Sequence, residues 1–95
     1  MITTFDVKQA LTSNLGPIIG NKLHGLLTDS EKVYLEAPSM LVSLSQTLID
    51  AAIFFNAIVI VDVTREQDKP ITIHFDTGDT VQIAIEEKGV KEIEA

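Results

Sequence analysis

Apolar residues recur at helical spacing through the first third of the chain. Phe5, Ala10, Leu11 and Leu15 mark one face of a first helix, and Thr3 and Asp6 stand at the spacing of a capping box at its start. Gly16-Pro17 breaks that helix and opens a second, expected from Pro17 to Leu27 on Ile19, Leu23, Leu26 and Leu27. Gly20 and Gly25 each cost such a helix about 1 kcal/mol relative to Ala. Close packing against a sheet would account for them, or Gly25 would end the helix, and the second is the preferred expectation. Lys32 to Glu36 (KVYLE) predicts the first strand, a short β-rich run bounded by Asp-Ser and Ala-Pro-Ser. Residues 41–55 then place Leu41, Leu44, Leu48, Ala52 and Phe55 on one helical face, with Ile49 and Ile53 beside it and Ser43, Gln46, Thr47 and Asp50 opposite.

Ala57 to Val63 (AIVIVDV) lacks alternation until Asp62 and predicts a central strand covered on both faces. Strand, helix and strand in this order suit a right-handed parallel crossover. Beyond the polar loop 64–69, Pro70 leads into Ile71, Ile73 and Phe75, which alternate with polar neighbours, as do Val81, Ile83 and Ile85. For both apolar sets to share a face, Phe75 should oppose Val81, with an odd loop of three or five residues around Thr77-Gly78-Asp79. Val90 and Ile93 alternate weakly, as a short edge strand or a frayed end. The expectation is one α+β domain over residues 1–95, a small mixed sheet in the order ααβαβββ with one βαβ crossover and a C-terminal β-hairpin.

Composition narrows the chemistry. Among 95 residues, 14 Asp+Glu against 7 Lys+Arg leave a net charge of −7. That excess disfavours nucleic acid, which is bound by placing Lys and Arg against phosphates. No cysteine is present, so disulfides, thiolate metal sites and cysteine nucleophiles are excluded. Met40 to Val61 holds 16 apolar residues in 22, close to a bilayer-spanning length. Asp50 would sit mid-bilayer at a cost of about 2.5–3.5 kcal/mol, so a buried helix leading into a strand is expected instead, with no membrane contact. MITTFDVK at the start lacks the pattern of a signal peptide, and the expected compartment is the cytoplasm.

Few motifs point to catalysis. Asp76-Thr77-Gly78 matches the active-site triplet of aspartic peptidases, in which paired carboxylates share a proton and activate water. Only 17 residues follow Gly78, too few for the flap and second motif of those enzymes, so Asp-Thr-Gly-Asp is expected to be a hairpin turn. His24 and His74 are the only histidines and lie far apart in sequence. His74 with Asp76 reads as an outward polar pair, and His24 as a helix-end residue. No phosphate-binding loop or nucleophile elbow is present, and no enzyme, cofactor or metal is expected. The serines Ser39, Ser43 and Ser45 cluster where a strand would meet the central helix. They are candidates for helix capping, or for an anion or phosphorylation site.

The segment 20–61 resembles STAS and STAS-like regulatory domains. Val33-Tyr-Leu-Glu36 is similar to their Val-x-Leu-Asp strand, Ser45-Gln-Thr-Leu-Ile-Asp50 to the start of the following helix, and Ala57-Ile-Val-Ile-Val61 to the next strand. The resemblance implies a non-enzymatic switch that docks on an ATPase or kinase-like protein, with a serine near Ser45 as phosphoacceptor.

Two functions compete on these observations. One is a regulatory protein-interaction domain controlled at Ser39, Ser43 or Ser45, with Asp50 and an exposed Phe54 at its contact surface. The other is an acidic inhibitor of the phage or mobile-element kind that blocks a basic enzyme surface. Its carriers would be Asp62, Glu66, Asp68, Asp76, Asp79, Glu86, Glu87, Glu92 and Glu94, nine acids against four bases from residue 62 onward. A homodimer is compatible with either, since a small sheet leaves edges to pair.

Overall fold

The computed structural model describes residues 6–93. Four helices precede four strands: α1 (Val7–Leu15), α2 (Pro17–Leu26), α3 (Asp29–Tyr34), α4 (Pro38–Phe55), β1 (Ile60–Thr64), β2 (Ile71–Phe75), β3 (Thr80–Glu86) and β4 (Gly89–Ile93). The protein is thus α+β, with helices leading into a C-terminal hairpin as expected. The sheet is a meander, β1-β2-β3-β4, and every neighbouring pair is antiparallel. Val63, Ile71, Ile73, Phe75, Val81, Ile83, Ile85 and Val90 face one side and are buried. They form one core with Val7 and Leu11 of α1, Leu23 of α2, and Met40, Leu44, Leu48 and Ala51 of α4.

The start of α1 is set by Asp6, whose carboxylate accepts from the Gln9 amide at 3.2 Å. Thr3 and Phe5 lie outside the described residues. Gly16, at φ +89°, ends α1 and opens α2 ahead of Pro17. Gly20 serves the contact between α1 and α2, not a contact with the sheet: a Cβ there would stand 2.5 Å from Thr12 Cα. Gly25 does not end α2, which runs one residue further and is capped at Leu27.

Two expectations are corrected. Lys32–Glu36 is not a strand; residues 29–34 are helical and Leu35 is the buried cap that follows. The cause is local: Thr28 Oγ1 accepts from the Glu31 amide at 3.2 Å while Glu31 Oε1 accepts from the Thr28 amide at 2.8 Å, a complete capping box. That reciprocal cap outweighs the β-propensity of Val33 and Tyr34, whose preference spans only about 1 kcal/mol. Without that strand the parallel crossover does not form. β1 is also not central. It lies at an edge of the sheet and begins at Ile60, three residues later than expected.

The β2–β3 hairpin has the odd loop that the alternation demands. Ile73 opposes Val81 and the Phe75 amide donates to Asp79 O at 2.9 Å, so a three-residue loop, 76–78, puts Asp79 opposite Phe75 in place of Val81. Gly78 turns that loop at φ +88°.

Polar ties join the layers. Arg65, just after β1, donates from Nε to Lys69 O at 2.8 Å, from Nη1 to Leu26 O at 3.0 Å, and from both terminal nitrogens to the Glu31 carboxylate at 2.6 and 3.1 Å. It thereby ties α2, α3 and the β1–β2 loop together. Elsewhere Ser43 Oγ accepts from the Val90 amide at 2.9 Å and lies 3.3 Å from Val90 O, while Thr47 Oγ1 donates to Ser43 O at 2.8 Å and lies 3.2 Å from the same Val90 carbonyl. The edge strand β4 is thus held to α4.

Candidate functional site

Helix α4 has 18 residues and one charged side chain, Asp50. Its inner stripe, Met40, Leu44, Leu48 and Ala51, is buried in the core. Apolar residues continue around to the outer side, where Val42 is 68% exposed, Ile53 72% and Phe54 82%, with Ile49 half out as well. Its mean hydropathy, 1.3, and its length are enough to cross a membrane by composition alone, although its inner stripe is built into the fold.

The helix stops at Asn56, which takes the left-handed conformation, and the Ala57 amide returns to Ala52 O at 2.8 Å. The chain then runs as an extended segment held by Asp76. One oxygen of that carboxylate accepts from the amides of Ile58 and Val59 at 3.0 and 3.4 Å, and the Asp76 amide donates to Val59 O at 3.0 Å. With the backbone clamped in this way, Ile58 is 86% exposed and Val59 is exposed beside it. An irregularity in the β1–β2 register between Ile60 and Asp62 leaves Val61 exposed too.

Between these elements lies a groove of about 540 Å³. Asn14 and Leu15 at the end of α1 form one lip, Ser45, Leu48, Ile49 and Ala52 of α4 the wall, Ile58, Val59 and Ile60 the other lip, and Phe75 part of the floor. A shallower depression of about 330 Å³ continues along α4 past Leu41, Val42, Ser45, Gln46 and Ile49. A clustered exposed apolar surface of this kind is the usual mark of an interaction site.

The candidate serines separate. Ser43 is committed to Val90, Ser39 is exposed in the first turn of α4, and Ser45 stands half-buried on the groove wall. Asp50 is exposed and accepts from Gln46 Nε2 at 2.8 Å. Several acidic candidates have partners within the chain. Asp62 pairs with Lys22 Nζ, and that hydrogen bond, with one from the Val63 amide, holds its carboxyl below the usual range. Asp79 accepts from Thr77 Oγ1 at 2.7 Å, Glu86 pairs with Lys91 at 3.1 Å, and Asp76 is the clamp just described. Glu66, Asp68, Glu87 and Glu92 are exposed, and Glu94 lies outside the described residues. His74 Nε2 meets Thr64 Oγ1 across the open face of the sheet at 2.7 Å, while Asp76 turns to residues 58–59. Burial, with Lys32 and Lys8 nearby, holds His24 below the ordinary histidine value. Among the described residues no group of three His, Asp or Glu could hold a metal ion.

Sequence reading singled out Phe54 but missed Val42, Ile49, Ile53, Ile58, Val59 and Val61 as surface residues. Its own signal was the unbroken apolar run 57–61, read as cover on two faces. No protein-family model, no curated protein and no solved structure matches the chain.

Proposed function

We propose that this chain is a non-catalytic protein-interaction domain that receives an apolar segment of a partner protein in the groove between α4 and residues 58–60. The observation that carries the reading is the clamp at Asp76. It spends a carboxylate and two backbone amides on presenting Ile58 and Val59 to solvent across the groove from Ile49. Burying one such side chain contributes roughly 1.5–3 kcal/mol, so a few of them filling the groove provide useful affinity without any charged contact.

Ser45 gives the groove a control point. A phosphate there would bring about −1.5 to −2 charges onto an apolar wall and oppose docking. The proposed regulation is therefore release by phosphorylation at Ser45. The acidic-inhibitor reading has less support, because Asp62, Asp76, Asp79 and Glu86 are engaged within the chain.

The test is capture of a partner on immobilised protein, followed by affinity measurement with that purified partner. Apolar docking survives high salt and is lost in Ile58→Glu and Ser45→Asp, while Glu66→Gln leaves it unchanged. A complex that dissolves in salt and ignores Ile58→Glu would refute groove docking and favour the acidic surface.

A further inference from the structure

We infer that the outer face of α4 is a self-association surface, on which two copies pair their α4 helices antiparallel about a two-fold axis. This goes beyond groove docking: it shares Ser45 and Ile49 with the groove wall but adds Val42 and Ile53 on the solvent side of the helix and does not use residues 58–60. Val42, Gln46, Ile49 and Ile53 follow one another at intervals of four, three and four, which is the seam spacing of a two-helix coiled coil. The core-facing residues Met40, Leu44, Leu48 and Ala51 lie on the other side, so a seam-forming stripe stands outside a helix already anchored within.

The stripe is complementary to itself. In an antiparallel pairing Val42 meets Ile53 of the second copy, and Gln46 meets Ile49. Ile53, 72% exposed, then sits over the depression lined by Leu41, Val42, Ser45 and Ile49 of the other copy. Knob and socket thus lie on the same surface, as an isologous contact requires. The only charge on α4, Asp50, flanks the strip and is already bonded to Gln46.

The extent also fits. Half the circumference of an 18-residue helix is roughly 27 Å by 17 Å, so two such strips bury roughly 900–1,000 Å², near the lower bound of specific interfaces. That size belongs to weak, reversible contacts. A lipid surface is the less suitable occupant, because interfacial helices carry Lys and Arg beside their apolar face and α4 has neither.

Sedimentation equilibrium of the full chain from about 1 μM to 1 mM reads the inference directly. The expected result is a reversible monomer–dimer transition that tightens several-fold with salt, as repulsion between two chains of charge −7 is screened. Ile53→Asp weakens it at least about tenfold and Gln46→Leu strengthens it, with unchanged circular dichroism in both. Orientation follows from introduced cysteines, since the chain has none of its own. Under mild oxidation Val42→Cys protein crosslinks to Ile53→Cys protein, whereas Ile53→Cys protein alone does not, the two substituted positions lying roughly 16 Å apart along the axis. A chain that stays monomeric throughout overturns the inference, as does a dimer unaffected by Ile53→Asp or a disulfide formed between two copies of the Ile53→Cys variant. A monomer that sediments with phosphatidylcholine vesicles would overturn it too, and assign the face to a membrane. Groove docking is judged separately by Ile58→Glu, so either can fail alone.

Discussion

Arg65→Met is the sharpest perturbation of this fold, because one side chain ties three elements at once. Its guanidinium reaches Lys69 O, Leu26 O and both oxygens of Glu31, and the Arg65 and Glu31 side chains are only 19% and 12% exposed. Breaking a fully buried pair costs about 3–5 kcal/mol. The residual exposure lets water reach the abandoned carbonyls, so about 2–3 kcal/mol is expected, a fall in Tm of roughly 10–20 °C for a domain of this size. Glu31→Gln keeps an oxygen for the Thr28 amide and removes the charge, at a cost of about 1–2 kcal/mol. The double variant should show a coupling of about 1 kcal/mol or more. A pH series adds a second readout. Burial pushes the Glu31 carboxyl up, but the bonds from Arg65 and Thr28 more than offset this and hold it below its ordinary value. A carboxyl depressed in the folded state stabilises the fold above its unfolded pKa of about 4.3, and that contribution fades as pH falls through the lower folded value. Wild-type protein therefore loses stability on acidification through this window, and Arg65→Met loses less, having already forfeited the contribution. Urea denaturation followed by far-ultraviolet circular dichroism suits a chain without tryptophan. An Arg65→Met protein within about 0.5 kcal/mol of wild type at neutral pH, or with the same acid slope, would refute the argument.

The two helical glycines should respond oppositely to alanine in the same assay. Gly20→Ala forces a Cβ to within 2.5 Å of Thr12 Cα and 2.6 Å of Leu11 O, backbone atoms that cannot move aside, and costs about 2–3 kcal/mol. Gly25→Ala meets nothing within 4 Å and gains about 0.5–1 kcal/mol. Ser43→Ala leaves the Val90 amide without its partner and costs about 1–2 kcal/mol, while Ser45→Ala leaves stability within about 0.5 kcal/mol of wild type; equal effects at the two serines would contradict their assignment to lock and groove wall.

The alternation of Ile71, Ile73 and Phe75 with Thr72 and His74, and of Val81, Ile83 and Ile85 with Gln82 and Ala84, was enough by itself to determine the hairpin, its buried face and the parity of its loop, since side chains on a strand have a period of two. Gly16-Pro17 likewise determined where α1 yields to α2, because each residue restricts the backbone locally. The helix at residues 29–34 was also legible, in Thr28-Asp-Ser-Glu31, but the β-branched and aromatic residues after it carried the opposite signal. Only the tertiary structure decided which apolar residues are covered. Hydropathy along α4 and the run 57–61 reports what each side chain prefers, not how many elements are at hand to cover it. The described fold supplies one helical layer to one face of one four-stranded sheet, so the inner stripe of α4 is buried while Val42, Ile49, Ile53, Phe54, Ile58 and Val59 remain outside. A central strand would have had neighbours on both sides; β1 is an edge, and the side chains that read as core became the candidate interaction surface.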